Sequence, residues 1–205
     1  MMNKRLKQGS TFVLAVALTF PLLTLPGAKA ANAIDTDAEC SIQFDIGGNS
    51  SELLSASIPV NLYKVASVDV SGNYTATGTF AKLDLSSVSA DNLDTAAATW
   101  SERAAEAKKL LKDDTEPTTT VTLTQGRGTA TGLKTGLYLV DTPEVVTTNY
   151  TYTFTPYLVS LPTNNYYSNG NDDWIYDLTK EYNSAVGLKP EEHARYGDLK
   201  INKTL

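Results

Sequence analysis

The side chains that could do chemistry in this 205-residue chain are few, and most stand alone. His193 is the single histidine, so a multi-His or His-Cys metal site cannot be assembled and a Ser-His-Asp triad would have one candidate base. The adjacent acids Asp113/Asp114, Asp172/Asp173 and Glu191/Glu192 could be imagined as glycosidase carboxylates. That chemistry wants two carboxyl groups facing each other across a sugar with separated pKa values, whereas neighbouring acids on polar loops are solvated. Gly126-x-Gly128-x-x-x-Gly132 lacks the dinucleotide spacing and runs on into strand-like residues, where a phosphate would need a helix N-terminus, so it is expected to be a hairpin turn. Asp69-Val70-Ser71-Gly72-Asn73 starts as a calcium loop does, but its glycine is misplaced and Phe80 occupies the place of the bidentate acid. The inventory therefore points away from an enzyme and implies no cofactor and no metal.

The first 30 residues set the compartment. Lys4, Arg5 and Lys7 form a charged start, Thr11 to Leu25 an apolar run, and Ala28-Lys29-Ala30 or Ala31-Asn32-Ala33 the small residues of a signal-peptidase site. The run falls short of the ~20 apolar residues that span a bilayer, and Pro26-Gly27 ends it, so a cleaved signal peptide over 1–30 and an exported product are expected. Export removes four of the 17 basic residues and none of the 23 acids, leaving a formal charge of −10. Nucleic acid and membrane surfaces are accordingly not expected as partners. With Cys40 alone, an internal disulfide is impossible. Cys40, Ile42, Phe44 and Ile46 alternate with polar neighbours, which reads as a core cysteine on a strand.

The elements that must position any functional residue read as strands. Alternation recurs over 40–46, 60–68, 74–80, 121–123, 137–140, 150–161 and 174–179, separated by turn signals at Gly47-Gly48-Asn49, Ser71-Gly72-Asn73, Gly126-Arg127-Gly128 and Asn169-Gly170-Asn171. Short strands with frequent turns, rich in Thr and Tyr, imply a sandwich or barrel. One stretch differs: Leu93, Ala96, Ala97, Trp100, Ala104, Ala107 and Leu111 fall at helical spacing, predicting an amphipathic helix over about 92–112 with Trp100 packed on a sheet. Asp91 or Ser89 would cap its start, and Lys108, Lys109 and Lys112 would complement the dipole at its end.

Several segments in order resemble a known family. Ile58 to Asp69 with its Ser-Gly-Asn-Tyr turn, Gly132-Leu133-Lys134-Thr135-Gly136-Leu137-Tyr138, Tyr152 to Pro162, Trp174 to Thr179, Gly187-Leu188-Lys189-Pro190 and Tyr196 to Leu205 together are similar to the N-terminal domain of sortase-assembled Gram-positive backbone pilins, followed by the first strand of a Cna-B-type domain. The resemblance covers most of 38–205 and implies an all-β, immunoglobulin-like β-sandwich over 34–196. It implies a structural subunit of a cell-surface pilus, with a pilin-specific sortase and other pilin subunits as partners. In such pilins a sortase transfers the acyl group of one subunit to a lysine near the end of this domain in the next.

In the family that lysine follows a Trp-bearing strand in a Trp-x-x-x-Val-x-Val-Tyr-Pro-Lys-Asn pattern. Trp174 and Leu178 fit its first part, but Tyr-Pro-Lys-Asn is absent here and the chain continues Thr179-Lys180-Glu181. Two acceptors remain open: Lys189, before Pro190 on a polar connector expected over 190–195, and Lys180, nearer the tryptophan. A lysine of ordinary pKa ~10.4 is protonated at neutral pH, so the sortase or a local acid must remove its proton. Lys203, in 197–205, matches the isopeptide lysine of the next domain, which is expected to be truncated. Leu161-Pro162-Thr163-Asn164 is not a sorting signal. The rival reading is a surface adhesion module of the same fold that binds a host glycan or matrix protein through exposed aromatics, with Tyr150, Tyr152, Tyr157, Tyr166, Tyr167 and Tyr176 available.

Overall fold

The computed structural model describes residues 32–47, 51–90, 97–164, 173–179 and 186–196. Along the chain run β1 (Glu39–Asp45), α1 (Ser51–Ser55), β2 (Ile58–Val68), β3 (Tyr74–Ala76), a 3₁₀ turn (Gly78–Phe80), α2 (Ala97–Leu110), β4 (Thr119–Leu123), β5 (Arg127–Lys134) and β6 (Gly136–Asp141). The short strands β7 (Val145–Val146), β8 (Tyr150–Phe154), β9 (Tyr157–Leu161), β10 (Thr163–Asn164), β11 (Trp174–Ile175), β12 (Asp177–Leu178), β13 (Val186–Gly187) and β14 (Pro190–Ala194) follow.

Two sheets carry the fold. In the first, β1 pairs antiparallel with β5 on one side and parallel with β12 and then β13 on the other. In the second, β2 is central: β4 and β3 lie in turn along one edge, β6 along the other, and β9 lies outside β6. The β4–β5 hairpin crosses from the second sheet to the first, because β4 pairs with β2 and β5 with β1. Its two central residues, Gln125 and Gly126, have φ of 52° and 77°, the positive values that a tight hairpin of this twist needs. The Gly126-x-Gly128 segment is thus the turn expected from sequence.

Alternation explains how one sheet can serve two cores. From β2, Ile58, Val60 and Leu62 face β1 and β5, whose Cys40, Ile42, Phe44, Ala130 and Leu133 complete the core between the sheets. Tyr63 and Val65 turn to the opposite face, where Leu137 and Leu139 of β6 join them beneath α2. All six residues of β6 are consequently buried. Gly136 lies where β6 passes the irregularity in β2 between Lys64 and Ala66. With φ of 150°, its absent Cβ would stand 2.4 Å from the Ala66 carbonyl oxygen and 2.8 Å from Lys64 Cε, so no larger residue fits.

Helix α2 lies on that second face through Trp100, Ala104 and Ala107, buried at the i, i+4, i+7 spacing read from sequence. The helix spans Ala97–Leu110; residues 91–96, including the start expected at 92 and the cap Asp91, lie outside the described residues. Trp100 meets Tyr74 edge-to-face with ring centroids 6.1 Å apart. The architecture is an immunoglobulin-like β-sandwich with one helix laid on its outer face.

Four expectations need correction. The alternation over 150–161 is two strands in different sheets, β8 and β9, because Thr155-Pro156 interrupts it: proline offers no N–H to a ladder. The run over 174–179 is likewise two short strands, β11 pairing with β10 and β12 with β1. The polar stretch 190–195, expected as a connector, is largely strand: β14 pairs with β8 through all five of its residues. The 74–80 alternation gives strand only to Ala76 before the 3₁₀ turn. Residues 1–31, the Tyr166-Tyr167 pair, Lys180 and 197–205 with Lys203 lie outside the described residues. Among the described residues no helix is long and apolar enough to cross a membrane.

Candidate functional site

Lys189 is the one candidate acceptor among the described residues, and three strands determine its setting. β13 runs beside β1 with Phe44 opposite Val186 and Asp45 opposite Gly187. The ladder continues one step further, as the Leu188 N–H donates to the Asp45 carbonyl at 3.0 Å. Leu188 then drops its side chain into the core between the sheets, where it is 6% exposed. One residue on, the Lys189 carbonyl accepts the Thr155 N–H at 3.3 Å, and β14 begins at Pro190 opposite Phe154.

Lys189 therefore sits at a crossing. It is where the chain leaves the first sheet, while Thr155 is where the chain passes from β8 to β9 in the second. Side-chain alternation puts Leu188 inward and Lys189 outward, so the backbone is held while the amine stands in solvent. Pro190 adds a restraint, since the residue before proline is confined to extended conformations. Among the described residues the Lys189 side chain has no ion pair.

Its neighbours on β14 are exposed at every position. His193 Nε2 lies 3.1 Å from Thr153 Oγ1. Glu192 accepts a hydrogen bond of 3.3 Å from the Tyr152 hydroxyl, which rises from a ring buried in the core. Glu192 thus binds its ladder partner Tyr152, while His193, paired with Thr151 in the ladder, reaches diagonally to Thr153. No group of three or more His, Cys, Asp or Glu suited to a metal occurs among the described residues. Cys40 is buried, and that burial pushes its thiol up to about 11 against the opposing charge of Lys64, which leaves it a core residue with no thiolate to offer at neutral pH.

The tyrosines considered for ligand binding are mostly packed. Tyr152 is 1% exposed and its ring lies 6.0 Å from that of Tyr150. The Tyr157 hydroxyl is enclosed, with no hydrogen-bond partner among the described residues, and this burial raises its pKa. Tyr176 accepts the Asp35 N–H at 2.8 Å through its hydroxyl oxygen. These described tyrosines form no exposed aromatic cluster.

Sequence reasoning missed two polar clasps. Lys108 of α2 pairs with the buried carboxylate of Asp141 at the end of β6. Glu52 of α1 accepts from the Thr147 hydroxyl at 2.5 Å and the Asn149 N–H at 3.1 Å, and these bonds, Thr147 first, hold its carboxyl below the usual value. No sequence signal marks either, since the partners are 33 and at least 95 residues apart. Open grooves flank α1, one lined by Leu54, Ser57, Thr124 and Gln125, the other by Val146, Thr147 and Thr148; among the described residues Glu52 is the only ionisable one in either.

No family model and no curated protein matches the chain. Among solved structures it is similar to the fimbrial protein FimP from Actinomyces oris, at 18% identity and a TM-score of 0.41, over 71% of this chain and 29% of that one. It is also similar to the full-length major pilin SpaD from Corynebacterium diphtheriae, at 20% identity and a TM-score of 0.37, over 70% of this chain and 29% of that one. The chain thus spans less than a third of the length of either pilin, and likenesses this loose carry no residue correspondence.

Proposed function

We propose that this chain is a structural subunit of a covalently polymerised surface fibre, in which Lys189 is the acyl acceptor for a pilin-specific sortase. The single observation that carries the reading is the setting of Lys189: a backbone tied to β1 and to the β8–β9 turn beneath an exposed amine with no ion pair among the described residues. The resemblance of the ordered sequence segments to backbone pilins supplies the reaction class. The sortase brings an acyl group from a preceding subunit. The Lys189 Nζ, once its proton is taken by the enzyme, attacks the acyl carbon; the new C–N bond forms and the enzyme's nucleophile leaves, taking up a proton. The pilin supplies position and the enzyme supplies activation.

The test is a transfer reaction with the pilin sortase of the source organism and a sorting-signal peptide of Leu-Pro-x-Thr-Gly type. Lys189→Ala is expected to abolish the amide-linked product and Lys180→Ala to leave it. The reverse pattern would move the acceptor to Lys180, and a product surviving in the double variant would remove both. Export and cell-surface placement belong to the same reading and rest on residues 1–30. Intact-mass measurement of the secreted chain should show a new N-terminus at Ala31 or Ile34, and retention of Met1 would refute export.

A further inference from the structure

We infer that Leu188 and Gly187 decide why this one amine is used: Leu188 positions Lys189, and Gly187 keeps clear the surface on which the acyl-enzyme must land. The inference rests on Lys189 being the acceptor proposed above.

Exposure alone cannot single out Lys189, because Lys82, Lys109 and Lys112 are exposed as well. Lys109 belongs to a helical turn it shares with Lys108, and Lys82 and Lys112 lie outside strands and helices. Lys134 on β5 is exposed and held in the ladder opposite Glu39, but its ammonium pairs with the Glu39 carboxylate at 3.6 Å. What separates Lys189 is a backbone restrained within three residues together with an amine that has no ion pair among the described residues. The Leu188 N–H is bonded to Asp45, the Leu188 side chain is seated in the core, and the Lys189 carbonyl is bonded to Thr155. An acceptor whose Cα is fixed loses only side-chain freedom when it meets the acyl-enzyme, which lowers the entropic part of the barrier.

Gly187 supplies the second element. Along an extended segment, residues two apart share a face, so position 187 borders the amine of Lys189. A Cβ built at Gly187 meets no atom within 4 Å, and its φ lies outside the left-handed region. Neither packing nor backbone conformation therefore demands glycine here. An ordinary side chain would fit the fold and would stand on the approach to the lysine. The sequence leaves that strip bare beside a residue that has to be reached by a macromolecule.

The experiment uses the full chain in three forms: Gly187→Tyr, Leu188→Ala and Leu188→Met. Two acyl donors are compared, the sortase with its sorting-signal peptide and the N-hydroxysuccinimide ester of acetic acid, with Lys189 modification read by peptide mass mapping. Gly187→Tyr is expected to fold and to react with the small ester as the parent does, while the enzymatic kcat/KM falls about tenfold, chiefly through KM for the chain. Leu188→Ala is expected to lower the enzymatic kcat about tenfold with ester labelling of Lys189 retained, and Leu188→Met to restore it. Enzymatic transfer at the parental rate in Gly187→Tyr would overturn the role of the bare strip. The parental rate in Leu188→Ala, shown to be folded by its thermal melt, would overturn positioning; should that variant not fold, Gly187→Tyr alone decides. A product that survives Lys189→Ala refutes the acceptor reading itself, a different failure from either of these.

Discussion

Lys108 and Lys189 belong to different elements, the end of helix α2 and the crossing between β13 and β14, and are treated in opposite ways. At the helix end, Lys108 reaches from the last turn of α2 to Asp141, whose side chain is 8% exposed, and so ties the helix to the end of β6. At the strand crossing, the backbone around Lys189 is tied and its ammonium meets no carboxylate among the described residues. A lysine used to hold a structure together has its charge neutralised by a partner that cannot leave. A lysine used as a reagent needs the reverse, a fixed stem and a free amine. On this comparison the helix side should govern stability and the crossing should govern reactivity.

The largest expected effect sharpens that division. Trp100→Ala removes the anchor of α2, buried to 7% against Tyr63, Val65, Leu137 and Leu139. Truncating a buried tryptophan costs about 3–5 kcal/mol, so chemical unfolding should shift strongly. Below the melting temperature of the variant, transfer to Lys189 should proceed at close to the parental rate. Loss of both together in a chain still folded by circular dichroism would show that the two regions are not separable.

A smaller effect tests the Lys108–Asp141 pair by its asymmetry. Lys108→Ala leaves a buried carboxylate without its cation, whereas Asp141→Asn leaves a lysine that is 47% exposed and can be solvated. Removing the lysine should cost about 2 kcal/mol, below the full penalty for a broken buried pair because one partner already faces water. Replacing the acid should cost about 0.5 kcal/mol or less. Urea unfolding of both variants checks the order, and a larger loss in Asp141→Asn would mean that the carboxylate does more than accept this lysine. Neither variant should alter transfer to Lys189.

What was legible in the sequence follows from how far each signal reaches. Periodicity is local, so the buried stripe of Trp100, Ala104 and Ala107 and the alternation of Cys40, Ile42 and Phe44 could be read directly and are found in the cores. Pairing is not local. Nothing near Val186-Gly187 announces a parallel partner in β1, and the exposed, charged Pro190–Ala194 reads as loop because a strand with neither face buried has no hydrophobic period to display. Lys189 is singled out as a candidate acceptor by resemblance and position in the chain. Its clamp is not legible there, since Leu188 is held only once Asp45 is brought beside it, and the Lys189 carbonyl only once Thr155 is. The Glu52 and Lys108 clasps were invisible for the same reason, each joining residues from distant elements.

The smallest effect probes the crossing from the other end of its ladder. Glu52 clasps Thr147 and Asn149 in the turn that leads into β8, the strand on which β14 is laid. Its carboxyl is held low by the bonds from Thr147 and then Asn149, so the folded value lies below the ordinary 4.5. For an acid whose pKa is depressed on folding, the stabilisation is fully present above 4.5 and is lost as pH falls below 4.5 through the folded value. Asp69 and Asp84 are also held low, chiefly by side-chain hydrogen bonds from Asn73 and Ser86, and lose stabilisation in the same direction. The measurement must therefore compare the parent with Glu52→Gln at each pH. Hydrogen-exchange protection of the Arg195 N–H, which bonds to the Asn149 carbonyl at 2.8 Å, should be higher in the parent at pH 7 and converge with the variant below the folded pKa. Amides of α2 should show no such difference. Equal loss of protection in α2 would make the clasp part of one cooperative unit spanning both regions, whereas a difference confined to the ladder would leave the platform of Lys189 separately adjustable from the helix.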